Sequence, residues 1–412
     1  MKRKVAANAA VLAALRVGAP LCSLAIVLAV SRRLGAEGLG RYSLAYAYLA
    51  LFSLLGPLGL PSLLTREGAR DRNGLGRLLS SGVLLGGAVS LALTLLMAAI
   101  GGVTGYDAAT SRALLILSAG ILPSTCLICF EAVFLALEDT TPIALAALAE
   151  HAAKVGLGLA ALVSGRGINA VLAAAVLGRF AACGVSIGLL RRRGVRVSLA
   201  ADVASLKSLA TLAPVFAATS VCATLYWRID VLLLSRLRSV AEVGYYTAAY
   251  RLLDLATLLP QSLCQALYPR VAGDRAGESR WRPVALASLL LLTVPVALAV
   301  TIAARPLLRL LYRPDFVAAA PALVPLIWTA VPWAWSRYHA CLLVANDRQN
   351  ADLAINAAML AVNAALNLAL IPSRGMQGAA QVTLATALLY GLVQLGYLKR
   401  RALRAPVLAV AD

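Results

Sequence analysis

Twelve acidic, basic or histidine side chains lie at least a full turn inside long apolar runs of this sequence. The bases are Arg16, Lys154, Arg179, Arg228, Arg251 and Arg337, the acids are Glu131, Glu150, Asp230 and Asp254, and His151 and His339 complete the set. An ionisable group within a bilayer is costly unless it faces water, a partner or a cargo, so each is a candidate for function. Six bases against four acids leave an excess of two positive charges before any histidine protonates. Arginine presents a planar fork that binds phosphate oxygens in pairs. The sign therefore suits an anionic cargo, whereas a cavity for cationic compounds would be acidic or aromatic.

The spacing sorts these residues. Arg16 is separated from the near end of its run by about 16 Å of helix and has no acid within a turn, so it faces a cavity or snorkels. Arg251 and Asp254, three apart, share a helix face and either neutralise each other or line a cavity. Tyr246, Tyr250 and Asp254 form a stripe at i, i+4 and i+8, fit for contact with sugar or for packing. Arg228 and Asp230, two apart within WRID, point to opposite sides of any unbroken helix. Glu150, His151 and Lys154 form the densest cluster. Glu150 to Lys154 is the favourable i, i+4 order for an internal ion pair, and a histidine beside a carboxylate can equally answer to protons or ions. Arg179 sits at the centre of its run. Asn356, Asn363 and Asn367 share one face, a pattern that joins helices.

The elements that must hold these groups are membrane helices. The chain of 412 residues is 61% hydrophobic and 14% charged, with a mean hydropathy of +0.83. Soluble domains are roughly 45–50% apolar and about 25% charged, so the composition excludes a large soluble, disordered or collagenous protein. The net charge of +20 is scattered in short clusters between apolar runs, which argues against a nucleic-acid partner and for a phospholipid bilayer. All seven cysteines lie in apolar runs, so no disulfide framework is expected. Cys126 and Cys129 have C-x-x-C spacing, which also describes two small residues one turn apart. No Walker motif and no nucleophile–histidine–acid pattern is present, so no enzyme is expected. No cofactor or metal is expected; a proton or sodium gradient is the candidate driving force.

A span needs about 20 mostly apolar residues. Twelve runs qualify: 5–31, 42–64, 78–100, 113–137, 141–164, 168–190, 206–235, 242–267, 284–303, 316–344, 349–371 and 376–398. The first follows MKRK but is too long for a signal peptide, and it is read as an uncleaved span. With the amino terminus inside, alternate connections carry 21 Lys and Arg against 11 on the other side, six of the 38 lying within spans. This bias predicts two cytoplasmic termini in the inner (cytoplasmic) membrane.

The sequence repeats. SRRLGAEGLGRYSLAY (31–46) aligns without a gap on SRLRSVAEVGYYTAAY (235–250), and Asp139 and Gly167 match Asp347 and Gly375 at a nearly equal offset. Spans 1–6 thus correspond to spans 7–12 in the same order, which predicts two parallel lobes, 1–197 and 198–412, that can rock about a site.

These motifs, with VGYYTAAYRL and LNLALIPSRGMQGAAQVTLAT (366–386), resemble the multidrug/oligosaccharidyl-lipid/polysaccharide flippase superfamily. Within it the chain is most similar to the polysaccharide-biosynthesis, O-antigen-type flippases. The resemblance implies an all-α integral membrane fold of about twelve helices, with two six-helix lobes forming a V-shaped central cavity. It implies an undecaprenyl-pyrophosphate-linked oligosaccharide as cargo, moved by alternating access. Arg16, Arg179, Arg228 and Arg251 would hold the pyrophosphate, and Glu150, His151, Lys154, Asp230 and Asp254 would serve coupling or ion pairing. Polysaccharide assembly proteins are further candidate partners. The lipid II flippases of the superfamily carry two extra spans for which this chain has no room. The alternatives are a cation or drug antiporter dependent on Glu131, Glu150 or Asp254, and a membrane polysaccharide polymerase, which would need a large outer loop.

Overall fold

The computed structural model describes residues 2–57, 60–72, 74–195, 222, 224–273, 281–345 and 348–402. Side chains are described from Gly18 onward, except at 62, 267–273, 281–282, 344–345, 349, 399 and 401–402. Among the described residues every regular element is helical. The chain divides into two compact units, Met1–Thr224 and Leu225–Asp412.

The first unit contains α1 (Lys2–Leu55), α2 (Leu60–Arg70), α3 (Leu75–Val103), α4 (Ala108–Ser118), α5 (Ile121–Ala136), α6 (Thr141–Val163) and α7 (Gly167–Arg192). The second contains α8 (Ile229–Leu237), α9 (Val240–Gly273), α10 (Trp281–Ile302), α11 (Ala304–Leu311), a 3-10 turn (Pro314–Ala319), α12 (Ala320–Trp328), α13 (Ala330–Ala345) and α14 (Gln349–Ala402).

Eight segments of the described residues are long and apolar enough to cross a membrane, where the sequence predicts twelve spans. The difference has identifiable causes. α1 and α14 each run through two predicted spans and break at one glycine, Gly35 (φ 68°) and Gly375 (φ 55°). Only glycine occupies that left-handed region without steric penalty. α9, at 34 residues, is long enough, but Glu242, Arg251 and Asp254 dilute its apolar character. The predicted span 206–235 lies largely outside the described residues, and α8 is its described end.

The surfaces follow from lipid as solvent. Leu91, Leu95 and Leu96 on α3 and Leu291 on α10 are exposed, while Leu60, Leu64, Leu79, Phe130 and Phe134 form a buried core in the first unit. The small face of α3 lets its backbone approach α5: a Cβ at Gly86 would stand 2.8 Å from Thr125 Cγ2, and the Ser90 hydroxyl donates to Thr125 Oγ1 at 2.7 Å.

Connections assigned to one side by alternation touch each other. Arg41 donates to Asp107 at 2.9 Å, Arg193 bonds Asp139, and the Glu242 carboxylate accepts the Met376 N–H at 3.1 Å. The repeated residues also keep their surroundings. The Ser31 and Ser235 hydroxyls donate to the carbonyls three residues earlier, at 2.9 and 2.7 Å. Tyr42 and Tyr246 are both buried, with Tyr46 and Tyr250 one turn on at ring separations of 4.5 and 5.7 Å. Gly167 and Gly375 both have positive φ, 73° and 55°.

Candidate functional site

The second unit contains a partly open cavity of about 290 Å³, lined by Trp227, Arg228, Tyr250, Leu253, Asp254, Thr257, Gln261, Thr329, Trp333 and Arg337. α9 contributes the stripe from Tyr250 to Gln261, and α13 contributes Trp333 and Arg337, one turn apart. Asp254 lies about 21 Å along α9 from Val240 at 1.5 Å per residue, so the cavity lies far from that end of the helix.

Arg228 reaches the cavity because the helix is broken beside it. Trp227 and Arg228 form a turn, Arg228 adopts φ −132°, and α8 restarts at Ile229. The two charges of WRID are thereby separated. Arg228 borders the cavity, whereas Asp230 is buried, accepts the Val231 N–H at 2.8 Å and receives the Tyr246 hydroxyl. That hydroxyl lies 3.3 Å from Thr383 Oγ1. On α14, Asn363 donates to Thr386 Oγ1 at 2.9 Å and ties the two arms together.

The charge at the wall is positive. Arg251 Nη1 donates to Asp254 Oδ2 at 3.1 Å, which neutralises that carboxylate, and among the described residues neither Arg228 nor Arg337 makes a salt bridge. Of the lining charges, Arg228 and Arg337 against Asp254 leave one positive charge in excess; Arg251, paired with Asp254 from outside the lining, raises the excess to two, and Asp230 behind the wall returns it to one. Three aromatic residues, Trp227, Tyr250 and Trp333, share the lining: the rings of Trp227 and Trp333 are 6.4 Å apart, and the Arg337 guanidinium lies 6.0 Å from the Trp333 ring. Phosphate oxygens would meet guanidinium N–H groups here, and a sugar ring would meet indole faces.

The predicted residues of the first unit are arranged differently. Arg179 donates to Ser124 Oγ and, at 3.4 Å, to the Gly120 carbonyl, and its Nε lies 3.6 Å from Glu150. The salt bridge of Glu150 therefore runs to α7 and not along α6 to Lys154. Lys154 is buried with its ammonium 5.0 Å from the Tyr46 ring centre. His151 has a buried Nδ1 with no hydrogen-bond partner among the described residues. Glu131 is within electrostatic reach of Glu150. The Arg16 side chain lies outside the described residues. Among the described residues, no three His, Cys, Asp or Glu side chains gather as a metal-binding set.

The structure thus brings Arg228, Arg251 and Asp254 together and adds Trp227, Gln261, Trp333 and Arg337, which sequence reasoning did not choose as site residues. Their signal was present: Trp333 and Arg337 at i, i+4 place a cation beside an indole on one helix face.

Residues 5–273 match the family described as polysaccharide biosynthesis protein. The chain belongs to that family. The chain is also similar to solved structures at low identity. The lipid II flippase MurJ in an inward closed conformation superposes with a TM-score of 0.77 at 16% identity, over 95% of this chain and 87% of that one. An inward-facing multidrug resistance MATE family transporter of the MOP superfamily gives 0.74 at 16%, over 95% and 98%. A MOP superfamily transporter from Pyrococcus furiosus, described as having a binding pocket of reverse polarity, gives 0.65 at 16%, over 96% and 93%. No curated protein gives a significant match. These likenesses show that the chain has the fold of these structures. The fold is the one seen in that MATE family transporter and in that lipid II flippase.

Proposed function

We propose that the protein flips an undecaprenyl-pyrophosphate-linked oligosaccharide across the inner membrane, with both termini in the cytoplasm. The observation that carries this reading is the cationic, tryptophan-walled cavity within the second unit. In this reading Arg228 and Arg337 grip the pyrophosphate, Arg251 is held ready by Asp254, and Trp227 and Trp333 flank the adjoining sugar. The volume of about 290 Å³ is at the small end of ligand pockets, roughly 300–1,000 Å³. It suits a diphosphate and the sugar next to it, with the remaining sugars outside. Arg16 and Arg179 would act from the first unit, Arg179 by holding Glu150. Rocking of lobes 1–197 and 198–412 would carry the head group while the lipid tail stays in the bilayer.

A proton or sodium gradient would drive the cycle, with the buried Asp230 carboxylate as a coupling group. His151 and Glu150 are a second candidate pair in the first unit, and polysaccharide assembly proteins would take the product onward. Export of a cationic compound has less support, because Glu150 and Asp254 each already face an arginine.

Depletion of the protein tests the proposal. Lipid-linked repeat units are expected to accumulate on the cytoplasmic leaflet while surface polysaccharide falls. Unchanged surface polysaccharide in depleted cells would remove the reading.

A further inference from the structure

The second unit carries an element that the first does not repeat. Only residues 104–107 join α3 to α4, whereas residues 303–319 between α10 and α12 form α11 and a 3-10 turn. α11 reads ARPLLRLL. Ala304 and Leu308 are buried against the unit. Arg305 and Arg309, one turn apart, are exposed, and each is followed by an exposed apolar residue, Pro306 and Leu310, the latter 74% exposed. Ile302, at the end of the α10 span, is 84% exposed, so α11 begins where an apolar helix leaves the hydrocarbon.

The charges of α11 are not closed internally. Arg313 pairs with Asp315 at 3.4 Å, but among the described residues Arg305 and Arg309 make no salt bridge. Alternate counting puts this connection on the arginine-poor side, so the topology bias does not account for them. Apolar side chains as exposed as Ile302 and Leu310 belong in acyl chains, and arginines beside them reach the phosphate layer.

We propose that α11 lies in the membrane interface and binds anionic phospholipid headgroups, with Arg305 and Arg309 on the phosphates and Pro306 and Leu310 among the upper acyl carbons. Seated this way, it fastens the second unit to one leaflet. The inference rests on the exposure and charge of α11 and is independent of the cargo.

Full-length protein carrying Leu310→Trp, reconstituted in phosphatidylcholine vesicles, tests it. Brominated phosphatidylglycerol or brominated phosphatidylcholine is added separately, and quenching of the new tryptophan is taken by difference from protein without it. Stronger quenching by the anionic lipid is expected. Arg305→Gln with Arg309→Gln should weaken that preference roughly tenfold, and Arg305→Lys with Arg309→Lys should keep it. Equal quenching by the two lipids, no quenching by either, or a preference that survives the glutamines overturns the proposal. Should the glutamine variant not fold, salt titration of the Leu310→Trp protein decides: a preference insensitive to salt overturns it as well.

Discussion

In the first unit Arg179 and Lys154 are taken up by neighbouring side chains and carbonyls. Arg179 is taken by Ser124, Gly120 and Glu150, and Lys154 lies over Tyr46. In the second unit the charges border open volume, because Arg251 satisfies Asp254 while Arg228 and Arg337 face the cavity. Yet the repeated residues pack alike: Ser31 and Ser235, Tyr42 and Tyr246, and Gly167 and Gly375 keep the same local roles. The repeat therefore preserves helix packing and joints, and the chemistry diverged at positions outside its motif. A duplicated scaffold leaves one unit free to present charge while the other uses it for cohesion.

The widest separation between the units is expected in transport. Arg228→Ala with Arg337→Ala removes two charge-assisted contacts, so flux of a lipid-linked oligosaccharide in proteoliposomes should fall on the order of a hundredfold. Arg179→Ala should lower flux only in proportion to the folded protein recovered. Equal loss per folded molecule in the two experiments would erase the distinction.

Stability should show the opposite ranking. Arg179→Ala strands Glu150 in a half-buried site and should cost about 3 kcal/mol, read as a lower Tm in detergent. Adding Glu150→Gln should recover part of the loss. Arg337→Ala, at an exposed position without a salt bridge, should leave the Tm nearly unchanged.

The repeated glycines sharpen the comparison further. Gly167→Ala meets open space and incurs only the left-handed backbone strain, about 1 kcal/mol. Gly375→Ala adds a Cβ 2.3 Å from Glu242 Oε2, an atom already bonded to the Met376 N–H, and should cost about 2 kcal/mol or more. Thermal unfolding of the two variants checks the order.

The smallest effect is expected at Arg41 and Asp107, which join the Gly35 kink to the start of α4. Burial pushes the Asp107 carboxyl up, but the Arg41 guanidinium and the Thr110 N–H hold it below its ordinary value of 3.8. A lowered carboxyl contributes stability above its unfolded pKa and loses it as pH falls through the folded value. Asp107→Asn should therefore cost a few tenths of a kcal/mol at neutral pH and nothing once the wild-type carboxyl is protonated, well below pH 4. Tm against pH for the two proteins would show the curves merging.

Much of this was legible in the sequence. Apolar run length located the spans, and the offset repeat anticipated the paired tyrosines and the two positive-φ glycines. Two features were hidden for a physical reason. Which side of a span faces a cavity is set by its neighbours, so Trp227 and Gln261 stood out no more than other residues of their runs, and Arg337 stood out only as one intramembrane charge among several. Ion partners across helices were equally hidden: spacing along α6 offered Lys154 to Glu150, but tertiary packing supplied Arg179. The break at Trp227–Arg228, which separates Arg228 from Asp230, has no glycine or proline to announce it.

The central claim is that the second unit's cavity holds an anionic head group. Equilibrium binding of undecaprenyl pyrophosphate to purified full-length protein tests it most directly. Arg228→Ala with Arg337→Ala should raise the Kd on the order of a hundredfold, while Arg179→Ala, compared per folded molecule, leaves it within about twofold. An unchanged Kd in the Arg228 and Arg337 variant, with the loss appearing in the Arg179 variant, would place the head group elsewhere and contradict the account.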